Sequence, residues 1–489
     1  MAMSDELIER VNQARRRFML RAGAGLGALA AAELLGSKGG IGAAFAGASV
    51  VQPNIGLLGT GQFRARAKRV IQLHMLGAIS HVDCFDYKPT LVKMHGQPMP
   101  DSVLKTQRLS TMSAGQSVFP VVGPIVAFKQ RGQSGAWVSD LLPYTAGIAD
   151  ELCFIKTVHT DHVNHDPAAK FLHTGFQLAG RPSAGAWISY ALGSDNANLP
   201  NYVVMNAGTA GGVPLDSATW SSGFLPSHHQ GVVFRSGEEP VLYVKNPRGM
   251  SDGDRRRMLD ALGQLVKTDY ETTRDSDLLS QMSQYEMAYR MQTSAPEVAD
   301  ISGEPKHVLD MYGPDVHLPG TYARNCLIAR RLCERGVKFI TLFGMGWDQH
   351  RSIATNLPVR CRMVDQPTAA LVMDLKQRGL LDDTLVAFGS EFGRTPFAQG
   401  ALKADFGRDH HGGNFTWWFA GAGTKAGYTH GETDDFSYSI VKDGVHIHDL
   451  NATIMHILGI DHKQLTFRFS GRDFRLTDVH GEVVHSVMA

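Results

Sequence analysis

The sequence predicts an α/β protein: a mostly parallel sheet sandwiched between helices, with an inserted loop-and-helix region. Two observations predict it. Short apolar, β-branched runs alternate with longer amphipathic stretches. Several runs also end in glycine and pass straight into carboxylates and imidazoles. Ligands of open α/β sheets bind just beyond the carboxyl ends of the strands, so this placement predicts a site as well as a fold. The clearest case is Gly336 to His350, an apolar strand closing on Gly344-Met345-Gly346-Trp347-Asp348-Gln349-His350.

The bulk numbers agree with one large globular unit. Of 489 residues, 43% are hydrophobic and 19% charged, enough for a sizeable core. No Pro/Gly/Ser linker or charge block splits the chain, which predicts one domain over 47–489 with a cap inserted at 210–320. A formal net charge of +1 gives no electrostatic reason to expect nucleic acid or an anionic membrane as partner. Cys84, Cys153, Cys326, Cys333 and Cys361 form no Cys-x-x-Cys pair. They are expected as buried small hydrophobes, not as a disulfide or zinc–thiolate framework.

Residues 1–46 are expected to be an export signal. Arg15-Arg16-Arg17-Phe18 precedes the apolar run Ala22 to Leu35, and Ala44-Phe45-Ala46 offers a small-residue cleavage site. Paired arginines before Phe18 look like a twin-arginine signal. The expected transport partner is therefore the twin-arginine translocase. The expected location is the periplasm or another extracytoplasmic space, with no membrane span in the mature chain.

Taken in order, Arg69 to Leu76 is the first predicted strand, and its exit carries Ser80, His81, Asp83 and Asp86. Gly135 to Asp150 is expected as a helix and Leu152 to Val158 as a strand. After that strand come His159, Asp161, His162, His165 and Asp166. Asn201 to Met205 is a strand. The text is then loop-like to Gly237, with helices from Ser251 to Thr293. Regular alternation returns with a helix from Thr321 to Arg335, stopped by Gly336. A long helix ends near Gly379, strands cover Thr384 to Gly389 and Phe415 to Ala420, and a short helix covers Asn451 to Leu458.

Three late segments set acidic or imidazole groups beside a strand in a glycine-bearing loop: Asp348 and His350; Glu391; and Asp409, His410 and His411. Mixed carboxylate and imidazole ligands suit a divalent cation such as zinc or manganese. Arg394 and Arg408 are expected to hold an oxyanion, since a guanidinium fork matches phosphate or sulfate. His446 and His448 are expected in packing or capping roles, with reach to the site as the alternative.

Several segments together resemble a bacterial exported family, domain of unknown function fifteen-oh-one, of the alkaline phosphatase and sulfatase superfamily. They are the twin-arginine start, Phe85-Asp86-Tyr87-Lys88-Pro89, Gly346 to His350, Gly389-Ser390-Glu391-Phe392-Gly393-Arg394-Thr395 and Gly407-Arg408-Asp409-His410. The resemblance spans essentially the whole mature chain and implies an alkaline phosphatase-like core. His165-Asp166-Pro167 through Thr174-Gly175 is similar to the sulfatase signature, with His165 where the formylglycine precursor stands and Ala169 where an Arg stands. Glu391 takes the place of a ligand Asp and Phe392 that of a His. The first strand lacks the usual terminal acidic ligand. The resemblance thus implies a rearranged metal site and no Cys or Ser nucleophile.

The reading is an exported, metal-assisted hydrolase of phosphate or sulfate esters, acting on a small-molecule or glycan ester. Asp348, His350, Glu391, Asp409, His410 and His411 are the metal candidates, for zinc, manganese or calcium. His165, Asp166 and Arg394 are the catalytic candidates, with His165 as nucleophile or general acid/base. The alternative is an inactive superfamily member that binds a ligand or partner in the envelope.

Overall fold

Strand β1 (Arg69–Leu76) is buried along almost its whole length and pairs in parallel on both sides. The computed structural model describes residues 56–489 apart from 59–60, 209–212 and 238. The predicted export signal lies outside the described residues. The other strands that matter are β2 (Leu152–His159), β3 (Tyr202–Ala207), β4 (Val232–Val233), β5 (Phe339–Met345), β6 (Thr384–Gly389), β7 (Gly393–Ala398), β8 (Arg408–His411), β9 (Phe415–Ala420), β10 (Tyr428–His430) and β11 (Val445–His446). The main helices are α1 (His165–Thr174), α2 (Asp252–Thr273), α3 (Ser276–Ala299), α4 (Tyr322–Glu334), α5 (Ile353–Gln377) and α6 (Ile447–Ile457).

The central sheet runs β10–β2–β9–β6–β1–β5–β3–β4, with β11 beside the end of β2. Only β9 is antiparallel to its neighbours. Parallel strands covered on both faces read as continuous apolar runs. That is why β1, β5 and β6 are recognisable from sequence at nearly their observed limits, and β9, antiparallel but buried along its whole length, reads the same way.

Alternation along β1 sends successive side chains to opposite faces. Ile71, Leu73 and Met75 join a core with α4 and α5, whereas Val70 and Leu76 join the core under α1 and α6. His74, in the alternate set with Val70 and Leu76, meets His173 of α1. Each fully buried aliphatic side chain contributes about 1.5–3 kcal/mol. All five cysteines are buried and free.

Register places the polar loops on one rim. Leu76 lies opposite Met345 and His74 opposite Gly389. Asp348 and Glu391 therefore emerge together beyond the ends of β5 and β6. Gly77, at φ +107, passes so close to the Trp347–Asp348 segment that a Cβ on it would lie 2.6 Å from Asp348 N.

Three expectations are corrected. Gly135 to Asp150 is not one helix: Ala136–Ser139 is a strand paired with Phe128–Arg131, and Pro143 then opens a short helix, Pro143–Gly147. Trp137 packs on Tyr87 and not on a helical face. The Arg408 to His411 stretch is strand, antiparallel to β7, instead of loop. The C-terminal helix starts at Ile447, capped by His446 with Asp449, four residues before the expected Asn451. In the insertion, α3 hydrogen-bonds through Arg290 and Ser294 to Ala197 and Asn198, just ahead of β3. These contacts seat α3 at the start of β3, while Asp216, earlier in the same insertion, pairs with Lys170 of α1 at 2.8 Å.

Candidate metal centre

Four side chains from separate parts of the chain converge on the rim. His165 is the first residue of α1, reached from β2 through 160–164. Asp348 and His350 follow β5 through Gly346, whose φ of +92 turns the chain. His410 lies on β8, in register with Arg394 of β7. Each of His165, Asp348, His350 and His410 offers one ligand atom, and all four atoms lie within 4.8 Å of one another.

The distances have a simple reading. Asp348 Oδ1 lies 2.8 Å from His350 Nε2, 3.1 Å from His165 Nε2 and 3.4 Å from His410 Nε2. His350 Nε2 and His410 Nε2 are 2.9 Å apart. Donors held about 2.0–2.1 Å from a tetrahedral cation would be about 3.3 Å apart, close to these separations.

The far side of each ring is already committed. His165 Nδ1 is 2.6 Å from Glu391 Oε1, His350 Nδ1 2.5 Å from Gln399 Oε1, and His410 Nδ1 2.5 Å from the Val163 carbonyl. Those oxygens accept, so each Nδ1 carries the proton and each Nε2 turns a lone pair inward. His165 Nε2 is buried and makes no hydrogen bond. Three inward lone pairs around a carboxylate oxygen fit a cation, and oxygen partners on the outer nitrogens are what oriented metal-ligating imidazoles use.

Electrostatics follow from the same contacts. Burial disfavours the charged Asp348 carboxylate, but His165, His350, His410 and Arg394 outweigh it and hold its pKa far below the usual carboxylate range. Glu391 is likewise held low against its burial by His165 and His74. Burial drives His410 down to about 4 despite Asp348. For His165 the two carboxylates overcome burial and raise the pKa. Water reaches the cluster from one side: the side chains of Asp348 and His350 are 21% exposed, that of His410 only 4%.

The remaining predicted residues are distributed around this centre. Glu391 is fully buried behind His165. It takes Gly77 N–H at 2.9 Å and His74 Nε2 at 2.8 Å, and so orients His165 from outside the four-atom group. Arg394 is fully buried; its guanidinium bonds the carbonyls of Gly77, Ala78, Trp347 and Arg408 and, at 2.7 Å, Asp348 Oδ1. It clamps Asp348 and has no open side for a substrate oxyanion, contrary to its expected role. Arg408 is engaged in the same way, bidentate on Asp83 at 2.8 and 3.0 Å and on the carbonyls of Val122, Gly123 and Thr395.

Alternation along β8 turns Asp409 and His411 away from His410. Asp409 accepts from Ser110 and Ser113. His411 bonds the Tyr438 carbonyl and Asn414 and packs beside His81. Asp166, one residue round the helix from His165, pairs with Lys170 at 2.8 Å. The structure does not bring these three into the four-atom group.

Sequence reasoning passed over His74, His173 and Gln399. His74 Nδ1 meets His173 Nε2 at 2.8 Å, so a buried line runs from His165 through Glu391 and His74 to His173. One signal was available: an imidazole inside an apolar strand must find a buried partner. Phe392 packs on both His165 and His410, at 4.7 and 4.6 Å between ring centres, and walls the cluster.

Fold and site together define a mixed α/β protein with a mostly parallel sheet and a histidine–aspartate cluster at its carboxyl rim. A family model described as protein of unknown function (DUF1501) matches residues 67–488, and the chain belongs to that family. No curated protein matches it. Among solved structures it is similar to Ps i-CgsB in complex with k-i-k-neocarrahexaose (12% identity, covering 80% of this chain and 72% of that one, TM-score 0.32). It is also similar to the lipoteichoic acid synthase LtaP from Listeria monocytogenes (10%, 84% and 75%, TM-score 0.34). A third is a protein in the alkaline phosphatase superfamily from Vibrio parahaemolyticus (10%, 83% and 70%, TM-score 0.33). Among the described residues, no helix is long and apolar enough to cross a membrane.

Proposed function

We propose that this chain is an exported, metal-dependent hydrolase of phosphate or sulfate esters whose cation is held by His165, Asp348, His350 and His410. The observation that carries the reading is the convergence of three imidazole Nε2 atoms on Asp348 Oδ1, each ring fixed by an oxygen on its other nitrogen. Three imidazoles and one carboxylate favour zinc or manganese over calcium, which prefers all-oxygen shells. A bound cation of that kind lowers the pKa of water and polarises an ester oxygen.

The chain's own residues then have separable tasks. Glu391 keeps His165 in the Nδ1–H tautomer, backed by His74 and Gly77 N–H. Arg394 keeps Asp348 ionised and ties it to Gly77. Glu391 holds His165 Nδ1, and its Nε2, free of hydrogen bonds, faces the other three donors, so we assign it to the cation and not to nucleophilic attack. The side chains of Asp348 and His350 face solvent, and a water would join the four protein donors from that side as a fifth ligand.

The test is metal analysis of purified mature protein, with turnover of aryl phosphate and aryl sulfate, beside His350→Ala. Stoichiometric metal and turnover, both lost in the variant, are expected. Metal-free protein whose properties the variant leaves unchanged would end this reading in favour of a non-catalytic envelope binder.

A further inference from the structure

With Arg394 and Arg408 spent on protein oxygens, the rim still needs a cation-bearing side chain for a charged substrate. Arg360 differs from both. It lies half-buried on α5, and among the described residues the one hydrogen bond its guanidinium makes goes to a sulfur and not to a carboxylate or carbonyl. One N–H of Nη1 reaches only the Met363 sulfur, at 3.8 Å. A thioether is a weak acceptor, so most of the five N–H donors remain free.

Its position is built into the backbone. A Cβ on Gly346 would lie 2.7 Å from both Cζ and Nη2 of Arg360 and 3.1 Å from Nε. The guanidinium therefore lies against a glycine that is also needed for its φ of +92. Gly346 is two residues from Asp348, at most about 7 Å between Cα atoms. Nη1 also approaches Gly208, beyond the end of β3. Met345, Trp347 and Met363 line the same recess. An apolar surround strengthens a charge-assisted hydrogen bond once an anion enters. Arg351, beside His350, is by contrast exposed and solvated.

We infer that Arg360 is the anion-receiving residue of this site, its free guanidinium edge over Gly346 taking oxygens of a phosphate or sulfate group on the substrate. The inference rests on the hydrolase reading for its chemistry but makes a separate claim about one side chain. It defines the substrate class as esters that present an anionic group to the β3–β5 side of the metal centre. Arg360 is a binding and specificity residue here, and its role does not require it to touch the cation.

The experiment is calorimetric titration of the mature protein with inorganic phosphate and with sulfate, for wild type, Arg360→Gln and Arg360→Lys. Bound metal is measured on the same samples. At least a tenfold loss of affinity is expected in Arg360→Gln, with smaller loss in Arg360→Lys and unchanged metal content in both. Wild-type protein is also treated with phenylglyoxal, and phosphate or sulfate is expected to protect Arg360 at least threefold. Equal affinity in properly folded Arg360→Gln, or modification of wild-type Arg360 unaffected by either anion, overturns the inference. Metal-free wild type whose anion binding still depends on Arg360 would sink the metal reading and leave this one standing.

Discussion

His350 Nε2 and His410 Nε2 stand 2.9 Å apart, although the other nitrogen of each ring is already held by an oxygen. Two lone pairs at that separation repel unless a proton or a cation lies between them. Asp348 Oδ1 at 2.8 and 3.4 Å adds negative charge to the same point. The arrangement is therefore complete only with something positive at its centre.

That requirement predicts stabilisation by metal. A ligand that binds only the folded state adds about 2.7 kcal/mol at a hundred times its Kd. Zinc or manganese should raise the unfolding midpoint of chelator-treated protein by several degrees. His350→Ala should abolish the rise, and calcium should produce less of it. A thermal scan with each ion checks this, and an equal response in wild type and variant would contradict it.

Glu391 should act through His165. Glu391→Gln keeps the shape but removes the charge that accepts from both His165 Nδ1 and His74 Nε2. Removing outer partners of metal ligands typically costs 10–100-fold in metal affinity. The same range is expected here, with His74→Ala toward its lower end. Competition against a chromophoric chelator measures it.

Arg408 and Asp83 test the reassignment from oxyanion holder to buried clamp. Both side chains are fully buried, and their two hydrogen bonds are 2.8 and 3.0 Å. Removing one partner of such a pair costs about 3–5 kcal/mol because the other charge is stranded. Asp83→Ala should lower the denaturant midpoint accordingly. Where folded protein survives, its affinity for phosphate should match wild type. A loss of phosphate affinity at unchanged stability would restore the oxyanion role.

How much of this was legible in the text follows from the physics of each segment. β6 and β9 were readable to the residue, because strands buried on both faces must be apolar throughout. Asp348, His350 and His410 were readable because they follow or lie on strands at glycine-rich turns. Their grouping with His165 was not, since it depends on the β1–β5 and β1–β6 registers, which no local pattern encodes. Arg394 and Asp409 misled for a related reason: residue type announces charge, but only the fold decides whether protein oxygens and hydroxyls consume it. The 135–150 stretch misled because Trp137, Leu141 and Leu142 mimic a helical face, while Pro143 cuts the stretch in two.

Acid should unfold the protein through buried groups outside the four-atom cluster as well. His81 is fully buried beside His411, and burial lowers its pKa to about 3. A folded pKa below the unfolded value of about 6.5 means the unfolded chain binds the proton more readily. The neutral ring's contribution is therefore full above pH 6.5 and is lost as pH falls toward 3, at up to about 1.4 kcal/mol per pH unit. Asp86 acts in the same direction at lower pH. Burial opposes its charge, but Lys156, Lys88, Ser437 and Thr433 hold it at about 2, so its contribution is present above pH 4 and lost between 4 and 2. Urea unfolding of chelator-treated protein should show stability falling from pH 6.5 to 4, with a shallower slope in His81→Gln. Identical slopes would remove His81 as a source of acid sensitivity, and the cause would have to be sought in the other lowered imidazoles, His411 and His173.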